Sequence, residues 1–120
     1  MGRRRRSARR ALALVDAGAE LLLSRAGLPP LNTQVEVRNE WNYRIATCDM
    51  GWERWRVVIE YDGIDHWLDE RTRTNDISRY EEIEELGWRV VLVSARMLRG
   101  ERQLIIDRVR RKLREAGCPR

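Results

Sequence analysis

The chain of 120 residues contains few of the residue types that build several common kinds of site. It has two cysteines, Cys48 and Cys118, and a single histidine, His66. Two cysteines exclude the disulfide framework that supports many small secreted domains, and their spacing does not match a structural zinc site. We therefore expect a protein of a reducing compartment, the cytoplasm.

Long apolar stretches are also missing. The first residues imitate a secretion signal, because arginines precede an apolar run from Ala11 to Val15, but Asp16 and Glu20 interrupt that run early. No segment approaches the ~20 apolar residues of a membrane-spanning helix. The sequence predicts neither export nor a membrane partner.

Positive charge is concentrated at the N-terminus. The formal net charge is +5, and without the six arginines of the first ten residues it would be −1. These arginines are Arg3, Arg4, Arg5, Arg6, Arg9 and Arg10. Two interpretations of this arginine-rich helical segment, residues 1–17, stay open: it contacts the phosphates of a nucleic acid, or it is the solvated end of a helix.

The remainder, residues 18–120, has the size of one domain with one core. Its hydrophobic periodicity and its Gly and Pro positions predict the order α-β-β-β-α-β-α. The predicted elements are helix 20–26, strands 33–37, 43–52 and 56–62, helix 74–86, strand 88–93 and helix 101–116. This order is typical of an α/β fold in which helices flank a mixed four-stranded sheet.

Two acidic residues, Asp49 and Glu60, lie on predicted neighbouring strands. A carboxylate in such a place costs free energy unless it is paired or holds a cation. The sequence therefore predicts a metal site here. The competing interpretation is structural: Asp49 caps a turn and Glu60 pairs with an arginine.

The predicted hairpin between these strands places the two carboxylates on one face of the sheet. A two-residue turn at Glu53 and Arg54 puts Trp52 opposite Trp55 and makes the acidic residues diagonal neighbours, ~7–8 Å apart. They are then close enough to share one divalent ion. A slip of one residue would separate them.

A carboxylate pair of this kind suits the hydrolysis of a phosphodiester with Mg²⁺ or Mn²⁺. The ion polarises the phosphoryl oxygen and lowers the pKa of a bound water. His66 is the candidate general acid or base, because its ordinary pKa lies near neutrality. Asp62 is a candidate for orienting the ion, the water or the histidine.

The same residues carry a family resemblance. The segments "YRIATCDMGWERWRVVIEYDGIDHW" and "NDISRYEEIEELGWRVVLVSA" resemble a bacterial domain family related to very-short-patch-repair endonucleases. That family belongs to the PD-(D/E)XK, or restriction-endonuclease-like, superfamily. The likeness covers residues 18–116 and is densest over residues 49–94.

The resemblance implies an αβββαβ core and Mg²⁺-dependent cleavage of DNA in mismatch repair, restriction or defence against mobile elements. By this resemblance Asp49 matches the metal-binding aspartate of the second core strand, and Glu60 matches the acidic residue of the (D/E)XK element. Asp62 stands at the lysine position, His66 matches a histidine after the "DG" step, and Asp76 matches an aspartate at the start of the next helix.

The chain departs from the family pattern in three ways. Its only lysine is Lys112, so the role of the motif lysine falls to His66, to a second metal or to nothing. The first core helix is shortened, and Glu20 is the residue that could replace its acidic side chain. Relatives commonly carry an upstream winged-helix-like domain, so we expect either a truncated gene product or a partial gene model.

Three functions remain open on this reading. The first is a Mg²⁺-dependent DNA endonuclease. The second is a catalytically inactive module that binds nucleic acid or has a regulatory role. The third is a degenerate fragment without a function. The sequence predicts no DNA specificity and no oligomeric state.

Overall fold

The structure, a computed structural model, describes residues 18–62 and 70–119; for residues 62 and 70–76 it describes the backbone alone. Eight elements follow one another along these ranges. They are α1 (Ala19–Arg25), β1 (Asn32–Arg38), β2 (Arg44–Trp52), β3 (Val57–Asp62), α2 (Glu70–Glu85), β4 (Arg89–Ser94), α3 (Ala95–Gly100) and α4 (Arg102–Glu115). No helix among the described residues is long and apolar enough to cross a bilayer.

The four strands form one mixed sheet in the order β1-β2-β3-β4. The first three strands are antiparallel neighbours, and β4 pairs parallel with β3 after the α2 crossover. The predicted α/β fold with a mixed four-stranded sheet flanked by helices is therefore confirmed at this level.

Helices cover both faces of the sheet. One face packs against α1, α3 and α4, and its core includes Leu23, Ile59 and Val109. The other face packs against α2, where Ile83 meets Val58 in a second core cluster. Because both faces are covered, β3 can carry consecutive buried branched residues, as its sequence predicted.

Glycine ends three of the helices as predicted, and Gly87, at φ 89°, follows α2. Gly117, at φ 97°, follows α4, and Cys118 N then donates to Leu113 O at 2.9 Å. Gly27, at φ 80°, ends α1 in the same way. A left-handed residue at this position lets the chain turn back and satisfies carbonyls that the helix leaves without partners.

The helix α3 was not predicted from the sequence. This six-residue helix begins directly after β4, and Ser94 Oγ caps it by accepting a hydrogen bond from Met97 N at 3.2 Å. Met97 and Leu98 are buried on the same side as α4. A segment of this length shows too few turns for helical periodicity to identify it.

Candidate functional site

Glu60 is the most deeply buried acidic side chain that the structure describes, at 1% exposure. Its position on β3 places it on the sheet face covered by α2, and Arg79 of α2 reaches it. Arg79 Nη2 lies 2.9 Å from Glu60 Oε1 and also donates to Thr47 O of β2 at 3.1 Å. One guanidinium thus joins α2 to two strands of the sheet.

The β2–β3 register differs from the predicted one. The structure pairs Trp52 with Val57, and the turn between the strands covers four residues, 53–56. The prediction that Trp52 lies opposite Trp55 is therefore wrong by two residues. Arg56, at φ 54°, adopts the left-handed conformation that lets this longer turn close.

Because side chains alternate between the two faces of a sheet, a register shift of two residues leaves each side chain on its face and changes only its cross-strand partner. The recorded ladder ends at the pair Met50 and Ile59. Asp49 and Glu60 each lie one residue beyond this last pair, so continuation of the register would place them opposite each other instead of diagonal. Both acidic positions therefore lie at the end of the β2–β3 ladder, on neighbouring strands.

The β2 strand changes its facing at Asp49. Its neighbours Cys48 and Met50, which regular alternation would place on one face, belong to core clusters on opposite faces of the sheet. The residue across the β1–β2 ladder at this level is Gln34, which has φ 55°. Left-handed backbone at a non-glycine residue within a strand is costly, and such distortions cluster at functional sites.

Both carboxylates affect the pKa of Cys48. Burial raises the pKa of its thiol far above the ordinary value, and the negative charge of Glu60, a hydrogen bond to Glu60 and the charge of Asp49 raise it further. The positive charge of Arg79 acts in the opposite direction. A single thiol that responds to both carboxylates places the two acids in one electrostatic neighbourhood.

Asp49 is 6% exposed, so both predicted metal ligands are buried. Among the side chains that the structure describes, no group of three His, Cys, Asp or Glu is close enough to hold a metal ion. Mg²⁺ is commonly bound by one or two carboxylates together with substrate phosphates. Asp49 and Glu60 fit this sparse protein contribution, and Arg79 competes for Glu60.

The other predicted site residues have different positions. His66 and the six N-terminal arginines lie outside the described residues, and the structure describes only the backbone of Asp62, at the end of β3, and of Asp76, within α2. Glu20 is exposed in the first turn of α1. Because α1 packs on the opposite face of the sheet from α2, Glu20 lies away from the Glu60–Arg79 pair.

The near-neutral charge outside the arginine tail is the sum of two segments with opposite net charges. Residues 95–120 contain nine cationic and three acidic side chains, a formal charge of +6, while residues 11–94 carry −7. Basic residues are therefore not confined to the tail. The helices α3 and α4 together form a second basic segment. They follow β4, the strand that pairs with β3 at Glu60.

Arg79 was not identified from the sequence as a site residue. The available signal was its place on the predicted helix four residues before Ile83, which put both side chains on the same face of that helix.

Comparisons with protein-family models, with curated proteins and with solved structures found no match for this chain.

Proposed function

We propose that this protein is a Mg²⁺- or Mn²⁺-dependent DNA endonuclease of the very-short-patch-repair or restriction type. The observation that carries the proposal is the burial of two carboxylates, Asp49 and Glu60, one residue beyond the last pair of the antiparallel β2–β3 ladder. Burial of two like charges side by side is unfavourable unless cations compensate them. Arg79 provides one positive charge, and a divalent ion would provide the rest.

The order of core elements supports the same proposal. A helix, three strands, a crossover helix and a fourth strand follow one another, which is compatible with a restriction-endonuclease-like core. The carboxylates lie where β2 and β3 stop pairing, beside the carboxyl end of the parallel β3–β4 pair. A fold does not determine an activity, so the proposal rests on the acidic residues.

In the proposed mechanism Asp49 and Glu60 would hold the cation, and Arg79 fixes the orientation of the Glu60 carboxylate. At these two carboxylates a divalent ion would supply Lewis-acid charge for the phosphate and for activation of the attacking water. Burial of the two acids keeps bulk water from screening their charge. His66 is proposed as the acid or base that moves the proton.

Plasmid nicking tests this function. Wild-type protein should nick supercoiled DNA in Mg²⁺ or Mn²⁺ but not in EDTA. The isosteric variants Asp49→Asn and Glu60→Gln should each lose this activity. The matched control is Glu53→Gln, which removes an exposed carboxylate from the turn between the same two strands. Equal nicking by wild type and Asp49→Asn would reject the nuclease.

One observation favours a second function, a non-catalytic module that binds nucleic acid. The ion pair with Arg79 satisfies the charge of Glu60 without any metal. In that case DNA binding would need no divalent ion and would weaken steeply with salt. Deletion of residues 2–10 would then remove most of the affinity. Metal-independent binding without nicking would favour this function.

A further inference from the structure

A cleft of about 450 Å³ lies beside the candidate site, at the outer edge of the sheet. Leu92 and Ser94 of β4 form its wall on the sheet side, and α3 and α4 contribute Arg96 and Arg108 on the other side. Nothing in the proposed chemistry of the two carboxylates uses this cleft.

The cleft begins one strand away from the candidate site. In the parallel β3–β4 register, Glu60 pairs with Leu92 and Asp62 pairs with Ser94. Neighbouring strands are ~4.8 Å apart, and paired residues in a sheet face the same side. A polymer whose cleavable bond lies near Glu60, and which continues past the free edge of β4, would meet this cleft, which α3 and α4 close from the opposite face of the sheet.

The two arginines of the cleft have only weak partners. Arg96 Nε lies 3.2 Å from Glu101 Oε1, but the Arg96 side chain is 84% exposed. Exposed ion pairs of this kind contribute little. Arg108 Nη1 lies 3.9 Å from Met97 Sδ, and a thioether is a weak acceptor. Both guanidinium groups can therefore exchange these contacts for a stronger anion.

We propose that this cleft binds the phosphate backbone of duplex DNA next to the cleavage position. Arg96 and Arg108 are the phosphate ligands, and the Ser94 hydroxyl, which accepts from Met97 N, retains its own proton for donation. The formal charge of +6 over residues 95–120 favours a polyanion. Only the position relative to cleavage rests on the proposed function.

Binding to a short DNA duplex in EDTA, over a series of salt concentrations, tests the cleft without any cleavage. The double variant Arg96→Glu/Arg108→Glu should lose affinity about tenfold or more. The slope of log K against log salt should become shallower by about 2, because two phosphate contacts are lost. Glu101→Gln, which removes the competing carboxylate, should instead raise the affinity.

The matched control is Arg114→Glu, an exposed arginine of α4 that lies about 120° around the helix from Arg108. This variant should change the affinity less than the double variant and leave the salt slope unchanged. Circular dichroism checks folding, and the neutral pair Arg96→Gln/Arg108→Gln repeats the test if charge reversal unfolds the chain. Equal losses in the control and the cleft variants, or none in the cleft variants, would overturn the proposal.

The two proposals fail separately. DNA binding that depends on Arg96 and Arg108, without nicking in Mg²⁺, supports the cleft and rejects the nuclease. If the protein nicks DNA in Mg²⁺ and substitution of Arg96 and Arg108 leaves its DNA affinity unchanged, the nuclease is supported and the cleft is rejected.

Discussion

Arg79 and Glu60 form an ion pair of 2.9 Å in which the carboxylate is almost completely buried and the guanidinium is about one-quarter exposed. The pair joins residues 19 positions apart and fastens α2 to the central part of the sheet. Arg79 also donates to Thr47 O, so the same side chain connects the candidate site to β2. The two members of the ion pair should respond differently to substitution.

Arg79→Met should destabilise the protein by ~3–5 kcal/mol, because Glu60 would remain as a buried charge without its cation. Glu60→Gln should cost less, since Arg79 is exposed enough to be hydrated. In a double-mutant cycle from urea unfolding, Arg79→Met/Glu60→Gln should recover part of the loss, with a coupling of ~1 kcal/mol or more.

An exposed ion pair provides the control for this cycle. Arg38 Nη2 lies 2.6 Å from Glu36 Oε2, with both side chains about two-fifths exposed. Arg38→Met should change the free energy of unfolding by no more than ~1 kcal/mol. Strictly additive effects of the Arg79 and Glu60 substitutions would contradict the account of the buried pair.

Gly51 should tolerate no side chain. A Cβ at this position would overlap Val57 O and lie 2.8 Å from Val58 Cα, and both are backbone atoms that can move only with β3. Gly51→Ala should therefore shift the β2–β3 register or destabilise the protein by ~1–3 kcal/mol, the usual cost of overpacking. Urea unfolding measures the stability.

Gly100 is the matched glycine for comparison. A Cβ at the end of α3 would meet nothing within 4 Å. Gly100→Ala should leave stability unchanged or raise it by ~0.5–1 kcal/mol, because alanine loses less backbone entropy in a helix. If Gly51→Ala were as stable as Gly100→Ala, the backbone of β3 could not lie as close to Gly51 as the structure places it.

Both cysteines should be unreactive in the native protein. Cys48 and Cys118 are 0% and 5% exposed and form no disulfide. Burial and the neighbouring Glu60 charge hold the pKa of Cys48 well above its ordinary value, so little thiolate forms near neutral pH. A disulfide reagent such as DTNB should label neither thiol in buffer and both in urea. Rapid labelling of the Cys118→Ala variant in buffer would show that Cys48 is accessible.

The order and type of most elements could be predicted from sequence, because their signals are local. Branched residues at Val57, Val58 and Ile59 predicted a strand covered on both faces, and the structure buries all three. Gly27 and Gly117 predicted helix ends, and both have positive φ there. These signals depend on a few neighbouring residues, so tertiary structure changes them little.

The register of β2 and β3 could not be predicted, because it depends on the turn. Glu53-Arg54 does not favour a two-residue hairpin, and the structure uses a longer turn that places Arg56 at positive φ. Arginine is an uncommon residue for that conformation. The partner of Glu60 was unpredictable for a related reason: the sequence offered many arginines, and only the packing of α2 selects Arg79.

Calorimetric titration with Mn²⁺ and Mg²⁺ tests most directly whether Asp49 and Glu60 hold one divalent ion. Wild-type protein and Glu53→Gln should bind the ion alike, while Asp49→Asn and Glu60→Gln should bind it at least about tenfold more weakly. Circular dichroism of each variant confirms that the fold persists. Wild-type protein that takes up no ion, or Asp49→Asn that takes it up as wild type does, would contradict the account.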